Sequence, residues 1–411
     1  MARLIALGVL AGSASAPAET IFEVAPAAGA GATDNVQVTA NDQQHVADAF
    51  VQVGGGARLR YNVARSTHGL GYRINWLRYV QGRGPTVTTQ DLAWTSSLAL
   101  TGTITLRLTA NASLSRTSRF DPTDPANATP QANVVGAVPF VSFGGAEELS
   151  YQPTPRRRYS EALTATRIDY LGTNVNLPTT TLVTANLYGN YLTGRETFSL
   201  TLTVSDSIFQ SDSGSTMPVN TFDRGQIFLA QALAGWGHEL SPVWSTLVQA
   251  GPSLIFKWGG PAVLAPAGTA GIYYARQPWF ASLTAVQTPS VDLYVGDAVI
   301  SDQLVARVAV PLTRSELIYL GGIGSYLYAR IPNDQRLLTR AYDQFFGGVS
   351  LVARFQRLPV FASLNYLALS QRGSSMPGRS FSDLAIQTVL LNITGTFAWG
   401  PGTPPLFGRV L

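Results

Sequence analysis

The sequence predicts an all-β chain folded as a closed antiparallel transmembrane β-barrel of about 18 strands, with 16 as the fallback count. Three observations carry this. Apolar and polar residues alternate singly over one stretch after another, the stretches run to about ten residues and beyond, and aromatic residues gather near their ends. The composition of the 411 residues agrees: 13% are charged and 45% hydrophobic. An ordinary soluble chain has roughly 25% charged residues, so this one has too little charge for a large wetted surface. After residue 18 it also has no apolar run of the ~18 residues that a membrane-crossing helix needs.

Met1-Ala2-Arg3, the apolar stretch Leu4 to Leu10 and the small residues Ala14-Ser15-Ala16-Pro17-Ala18 read as a secretory signal over residues 1–18. Residues 19–33, rich in Ala and Gly, read as a flexible segment. The barrel is expected over 34–400, followed by a tail over 401–411. The alternation is plainest in four stretches. Ile104, Leu106, Leu108, Ala110, Ala112 and Leu114 oppose Thr105, Arg107, Thr109, Asn111 and Ser113. Phe198, Leu200, Leu202 and Val204 oppose Thr197, Ser199, Thr201, Thr203 and Ser205. Val183, Ala185 and Leu187 oppose Thr184, Asn186, Tyr188 and Asn190, and Val389, Leu391, Ile393, Phe397 and Trp399 oppose Thr388, Asn392, Thr394 and Thr396. Side chains of a strand point alternately to its two faces, so each stretch has one greasy side and one polar side. Segments of this length cross a tilted bilayer span. A bilayer tolerates no unpaired edge, so the sheet must close.

The connections alternate between long and short. The long set is 119–138, 171–178, 212–221, 258–266, 289–298, 332–340 and 371–383. The short set is Arg65 to His68, Thr101-Gly102-Thr103, Gln152 to Pro155, Thr193-Gly194-Arg195, His238 to Pro242, Arg276-Gln277-Pro278, Leu312-Thr313-Arg314 and Gln356-Arg357-Leu358. Between them lie seventeen stretches, beginning at 55–64 and ending at 384–399. One further strand within 34–53, either Asn35-Val36-Gln37-Val38 or Ala49 to Val53, makes the count even. Gly54-Gly55-Gly56 reads as a bend or bulge before the first stretch. Trp76, Tyr79, Trp94, Tyr170, Trp236, Trp244, Trp258, Trp279 and Trp399 lie at or near stretch ends, where rings sit at headgroup level.

Several function classes drop out. The chain has no cysteine, which removes disulfides, Cys-ligated metals and thiol nucleophiles. Lys257 is the single lysine and the arginines are dispersed, so no nucleic-acid surface forms despite a net charge of +4. His45, His68 and His238 stand in no HExxH, nucleophile elbow or phosphate loop, and no enzyme activity is expected. Asp297, Ser301 and Asp302 lack the spacing of an oxygen-ligand loop, so no metal or cofactor is expected. Arginines recur at the short turns and acids at the long loops.

With the apolar residues placed outward, the inner wall receives Arg58, Arg60, Asn62, Arg73, Asn75, Arg107, Asn111, Gln303, Arg307, Ser363, Asn365 and Asn392. Arginine beside water favours anions by its field and forks onto carboxylates, sulfates or phosphates. Pairing with inward acids such as Asp91, which would stiffen the wall, is the other reading of these residues.

The turn phrases Gln152-Pro153-Thr154-Pro155-Arg156 and His238-Glu239-Leu240-Ser241-Pro242-Val243-Trp244, and Ile300-Ser301-Asp302-Gln303 opening a strand, make the chain resemble bacterial outer-membrane β-barrels. More narrowly, it is similar to little-characterised single-chain barrels of the myxobacterial type. In such barrels the short turns are periplasmic and the longer loops extracellular. Some similar 18-stranded barrels are linked to polysaccharide export. The resemblance thus implies a Gram-negative outer-membrane location, lipid as a partner, and a periplasmic polysaccharide-export protein as another. The tail departs from the common pattern, since Trp399 is followed by Pro401, Pro404 and Pro405. The functional expectation is an outer-membrane channel, with export of an acidic polysaccharide as its finer form. The alternatives are a non-conducting barrel serving as surface anchor, adhesion or assembly module, and a general diffusion porin for small hydrophilic solutes.

Overall fold

The computed structural model describes residues 18–35, 45–116, 138–171, 178–210, 225–257, 260, 262–292, 297–313, 315, 317–332, 338–355, 358–373, 375–376, 379–380 and 383–400. The proposed signal segment before Ala18, the 401–411 tail, Trp258 and most of the 119–138 loop lie outside these residues.

The strands run β1 (Glu19–Thr33), β2 (Asp48–Val63), β3 (Ser66–Tyr79), β4 (Val87–Ala99), β5 (Ile104–Arg116), β6 (Pro139–Thr154), β7 (Arg157–Tyr170), β8 (Thr179–Thr193) and β9 (Glu196–Gln210). They continue as β10 (Gly225–Glu239), β11 (Trp244–Lys257), β12 (Val263–Arg276), β13 (Trp279–Asp292), β14 (Asp297–Pro311), β15 (Ile318–Pro332), β16 (Leu338–Arg354) and β17 (Val360–Gly373). A small hairpin, β18 (Ser375–Met376) and β19 (Arg379–Ser380), stands in the following loop. The final wall strand is interrupted once, as β20 (Leu384–Gly395) and β21 (Phe397–Trp399). Every neighbour in the wall pairs antiparallel, and β1 pairs with both β2 and β20–β21. The ring therefore closes with 18 strands.

The even strand comes from a place the sequence reading treated as flexible. Residues 19–33 form β1, and Ala49 to Val53 belong to β2 rather than to a strand of their own. From Ala25 onward the ETIFEVAPAAGAGAT segment is Ala and Gly apart from Pro26 and Thr33, so the β-branched residues that mark a strand are confined to its ends. Its extended form is set by the two ladders it completes. Pro26 has no N–H, and the last strand breaks opposite it, between Gly395 and Phe397. There Thr396 N donates to Pro359 O of the other neighbour at 2.8 Å.

Gly54-Gly55-Gly56 is likewise no bulge. The three glycines continue the β1 and β2 register without a slip, opposite Ala27, Pro26 and Ala25. They are small because the neighbours are close: a Cβ on Gly55 would lie 3.0 Å from Ala25 O and 3.1 Å from Pro26 Cα.

The short connections fall on one end and the long ones on the other. Gly194, with φ of 60°, closes the tight β8–β9 turn in a conformation that favours glycine. Leu59, Leu70, Leu92, Leu187, Leu200, Val248, Leu283, Leu304, Val349 and Leu391 are exposed along the outer wall. This apolar belt has no counterpart on a soluble sheet. Tyr61, Trp94, Tyr151, Tyr159, Tyr191, Trp236, Trp244, Trp279 and Trp399 ring its short-turn side. Several are in contact across strands, as in Phe22–Trp399, Tyr151–Tyr159 and Trp244–Tyr274. Strands of 14 to 16 residues are roughly 45–50 Å long at ~3.3 Å per residue. Even tilted, they rise past an apolar band ~25 Å tall.

Where they rise past it on the long-loop side, β9 to β17 and β20 pack against one another instead of against lipid. Phe346, Leu367, Leu369, Leu384 and Ile386 form one buried cluster, and Val299, Ala329, Ile331, Ala341 and Tyr342 a second. Phe209, Ile227, Ile255, Ala265, Ala298 and Ile300 form a third. Phe346, Leu367 and Leu369 alternate with exposed Phe345 and Tyr366, which puts them on the inner face. Part of the inner wall is thus apolar.

Candidate functional site: the inner wall

Exposed neighbours fix which way each residue points. On β2, Val51, Val53, Leu59 and Tyr61 face outward, so Arg58, Arg60 and Asn62 face inward together with Gln52. On β3, outward Leu70, Tyr72 and Ile74 leave Arg73 and Asn75 inside. Outward Leu92 and Trp94 of β4 stand opposite Ala112 and Ala110 of β5, which turns Asn111 and Arg107 inward. Leu304 and Val308 put Gln303 and Arg307 inside. Leu364 and Tyr366 do the same for Ser363 and Asn365, and Leu391 and Ile393 for Asn392.

The basic side chains meet acids on neighbouring strands. Arg60 Nη2 lies 3.8 Å from Glu23 Oε1 of β1. Glu148 of β6 sits between two arginines, with Arg107 Nη1 at 3.6 Å and Arg158 Nη2 at 3.4 Å. Arg158 Nε also donates to Ser150 Oγ at 3.2 Å. Arg73 is directly opposite Asp91. The Arg107 side chain is 62% exposed and that of Arg158 50%. Exposed pairs of this kind stabilise a fold by only ~0–1 kcal/mol, so their main effect is on the field inside the barrel. Arg58, Arg60, Arg107, Arg158 and Arg307 lie toward the short-turn ends of their strands. With Arg73, they outnumber the inward acids Glu19, Glu23, Asp91 and Glu148, and the described inner wall is net positive there.

The neutral residues bond along the wall. Gln303 Nε2 donates to Ser325 Oγ at 3.0 Å, Asn365 Nδ2 to Ser363 Oγ at 3.1 Å, and Asn392 Nδ2 to Thr394 Oγ1 at 3.3 Å. Glu23, Glu148, Arg158 and Gln52 join this wall although sequence reading passed over them. Alternation carried a signal for Glu148, which shares the phase of Ser150. Arg158 was hidden in the Arg156-Arg157-Arg158 run, whose middle member instead lies over the Tyr191 ring on the outer wall, 5.5 Å from its centroid.

The remaining polar clusters are engaged elsewhere. Lys257 Nζ donates to Asp297 Oδ2 at 3.1 Å, and Arg330 Nη2 to Asp302 Oδ2 at 2.6 Å, so both carboxylates hold cations of the chain itself. Glu196 of β9 holds His238 Nδ1 at 2.6 Å on the outer wall, where Trp236 stacks on the imidazole. His68 lies between Ser66 Oγ at 3.1 Å and Ser96 Oγ at 3.0 Å. The outer wall also has a groove of about 620 Å³ beside Gly189, lined by Tyr159, Leu187, Tyr191, Leu200 and the carboxylate-bearing Glu161.

No protein-family model matches the chain, and no curated protein is similar in sequence. Among solved structures, Acinetobacter baumannii OccAB3 is 11% identical, with 93% of this chain and 99% of that one covered and a TM-score of 0.46. Pseudomonas aeruginosa OpdO is 13% identical over 93% and 98%, with a TM-score of 0.49. A bacterial polysaccharide outer membrane secretin is 12% identical over 91% and 98%, with a TM-score of 0.37. Likeness at this level carries no inference about cargo; the barrel is established by its own strand pairing.

Proposed function

We propose that the chain is a channel in the outer membrane of a Gram-negative bacterium, and that its cargo is an acidic polysaccharide exported outward. The observation that carries the reading is the inner-wall charge: Arg58, Arg60, Arg73, Arg107, Arg158 and Arg307 against Glu19, Glu23, Asp91 and Glu148. A positive wall beside water concentrates anions and lowers the barrier to their passage. Arginine suits a polymer of carboxylates because its planar fork matches each one, and conduction requires each contact to be weak enough to release. Clustering toward the short-turn end puts that charge where a periplasmic export protein would hand over its cargo. The bilayer lipid is the other partner, met by the apolar belt.

A planar-bilayer measurement tests the channel. Steady unit currents with anion preference are expected. Silence at all voltages, in a barrel whose heat-modifiable migration shows it folded, refutes the reading. Deleting the protein from its host tests the cargo: sugar should be trapped in the periplasm, and an unchanged surface polysaccharide removes the polymer from the proposal. A second reading, a non-conducting anchor or assembly module, is favoured by the apolar clusters at the long-loop strand ends. The same current recording decides between them.

A further inference from the structure

On the outer wall, Glu161 borders an open groove and is met by nothing in the described chain. Arg157, Tyr159, Glu161 and Leu163 share the outward face of β7, where Tyr159 and Leu163 are 47% and 51% exposed. Register sets Tyr159 opposite Gly189 and Glu161 opposite Leu187 on β8. Gly189 and Leu187 in turn stand opposite Leu200 and Leu202 on β9. Gly189 has no side chain to fill its place, and the Tyr159 ring leans to 3.3 Å from where a Cβ would stand. The groove left beside it holds about 620 Å³, within the ~300–1,000 Å³ usual for small-molecule sites. Its walls face the bilayer: Leu187 and Leu200 are each 52% exposed. Glu161 lines the groove, is itself exposed, and has no hydrogen-bond or ion-pair partner among the described residues. Arg157 stands nearer the short turn on the same face, with its guanidinium over the Tyr191 ring and no acid partner among the described residues.

A charge on the lipid face costs free energy unless a partner meets it. Hydrocarbon chains cannot do so. A second copy of the chain, related by a two-fold axis along the membrane normal, sets Glu161 against Glu161 at one depth and neutralises neither. What fits is a lipid that carries its own cation. A primary ammonium brings three N–H donors to a carboxylate, in charge-assisted bonds. A phosphate on the same headgroup suits the fork of Arg157. Glu161 and Arg157 thus match the two opposite charges of a zwitterionic phospholipid in the leaflet on the short-turn side. Tyr159 and Tyr191 stand there as rings at headgroup level, and Leu187, Leu200 and Leu202 give an acyl chain an apolar track.

We propose that the groove beside Gly189 is a binding site for a phospholipid with a primary ammonium headgroup. The ammonium sits on Glu161, the phosphate beside Arg157, and one acyl chain in the groove. The site stands whether or not the barrel conducts. The full chain in detergent is incubated with equal amounts of phosphatidylethanolamine and phosphatidylcholine bearing the same acyl chains, and the lipid it retains is read by native mass spectrometry. The two lipids differ only in methylation of the headgroup nitrogen, which removes its N–H donors. The wild type should retain phosphatidylethanolamine at least fivefold over phosphatidylcholine. The ratio should fall to about one in Glu161→Gln, and Gly189→Leu, which fills the groove, should retain less of both. Glu147, on the outward face of β6 but outside the groove, supplies the control: Glu147→Gln should keep the wild-type ratio. Each variant is shown folded by heat-modifiable migration. Equal retention of the two lipids by the wild type, or an unchanged ratio in Glu161→Gln, overturns the site. So does a ratio lost as fully in Glu147→Gln, since any negative charge on the belt would then suffice. A mass of two chains without lipid gives the groove to a second copy and overturns the site as well.

Discussion

Arg107→Gln removes one positive charge from the wall without touching the outer belt. The guanidinium is 62% exposed and lies 3.6 Å from Glu148, so it stands beside the water path and its loss leaves Glu148 to Arg158. At ~7 Å from a passing ion in water, a unit charge is worth about 0.6 kcal/mol, close to RT. The ~10 Å Debye length of 0.1 M salt halves that. An anion loses what a cation gains, so the anion-to-cation permeability ratio should fall about threefold in 0.1 M KCl and about fivefold in 0.01 M, where the Debye length is ~30 Å. The reversal potential across a KCl gradient measures the ratio. Glu148→Gln should move it by a similar factor in the opposite direction. An unchanged reversal potential in both variants, or a shift of the same sign in both, would show that these side chains do not face the conducting path and would refute the argument.

Other outcomes follow from packing. Gly251→Ala should cost about 1–3 kcal/mol, because the added methyl runs into the Ala232 carbonyl and lies 3.1 Å from Leu233 Cα, all of it backbone. Gly324→Ala, with nothing within 4 Å of its Cβ, should stay within ~0.5 kcal/mol; urea unfolding from vesicles compares the two. Leu283→Arg, in the apolar belt, should destabilise the bilayer-embedded barrel by about 2–4 kcal/mol, measured the same way. In vesicles of phosphatidylcholine alone, Glu161→Leu should instead stabilise the barrel; a loss of stability there would mean that the carboxylate beside Gly189 meets something other than lipid. Gly194→Ala should cost about 1–2 kcal/mol because φ is 60° there, a loss visible in the same denaturation series.

Most of the barrel was legible in the sequence because its strands face two different solvents. Leu200, Leu202 and Val204 must meet lipid while Ser199, Thr201 and Thr203 must not, and a side-chain period of two writes that difference directly into the chain. Loop parity then demanded an even count, and the same alternation placed Arg58, Arg107 and Arg307 on one face. Only the closed structure could show where the last strand came from. Ala25–Ala32 has little strand propensity of its own and is extended because β2 and β20 each offer it a ladder. The same closure brings Gln52 over Gly29 toward Asn392, 340 positions along the chain, and sets Glu148 between Arg107 and Arg158. Alternation tells a residue which face it occupies; which neighbours it meets there depends on register, and register is settled only when the ring is complete.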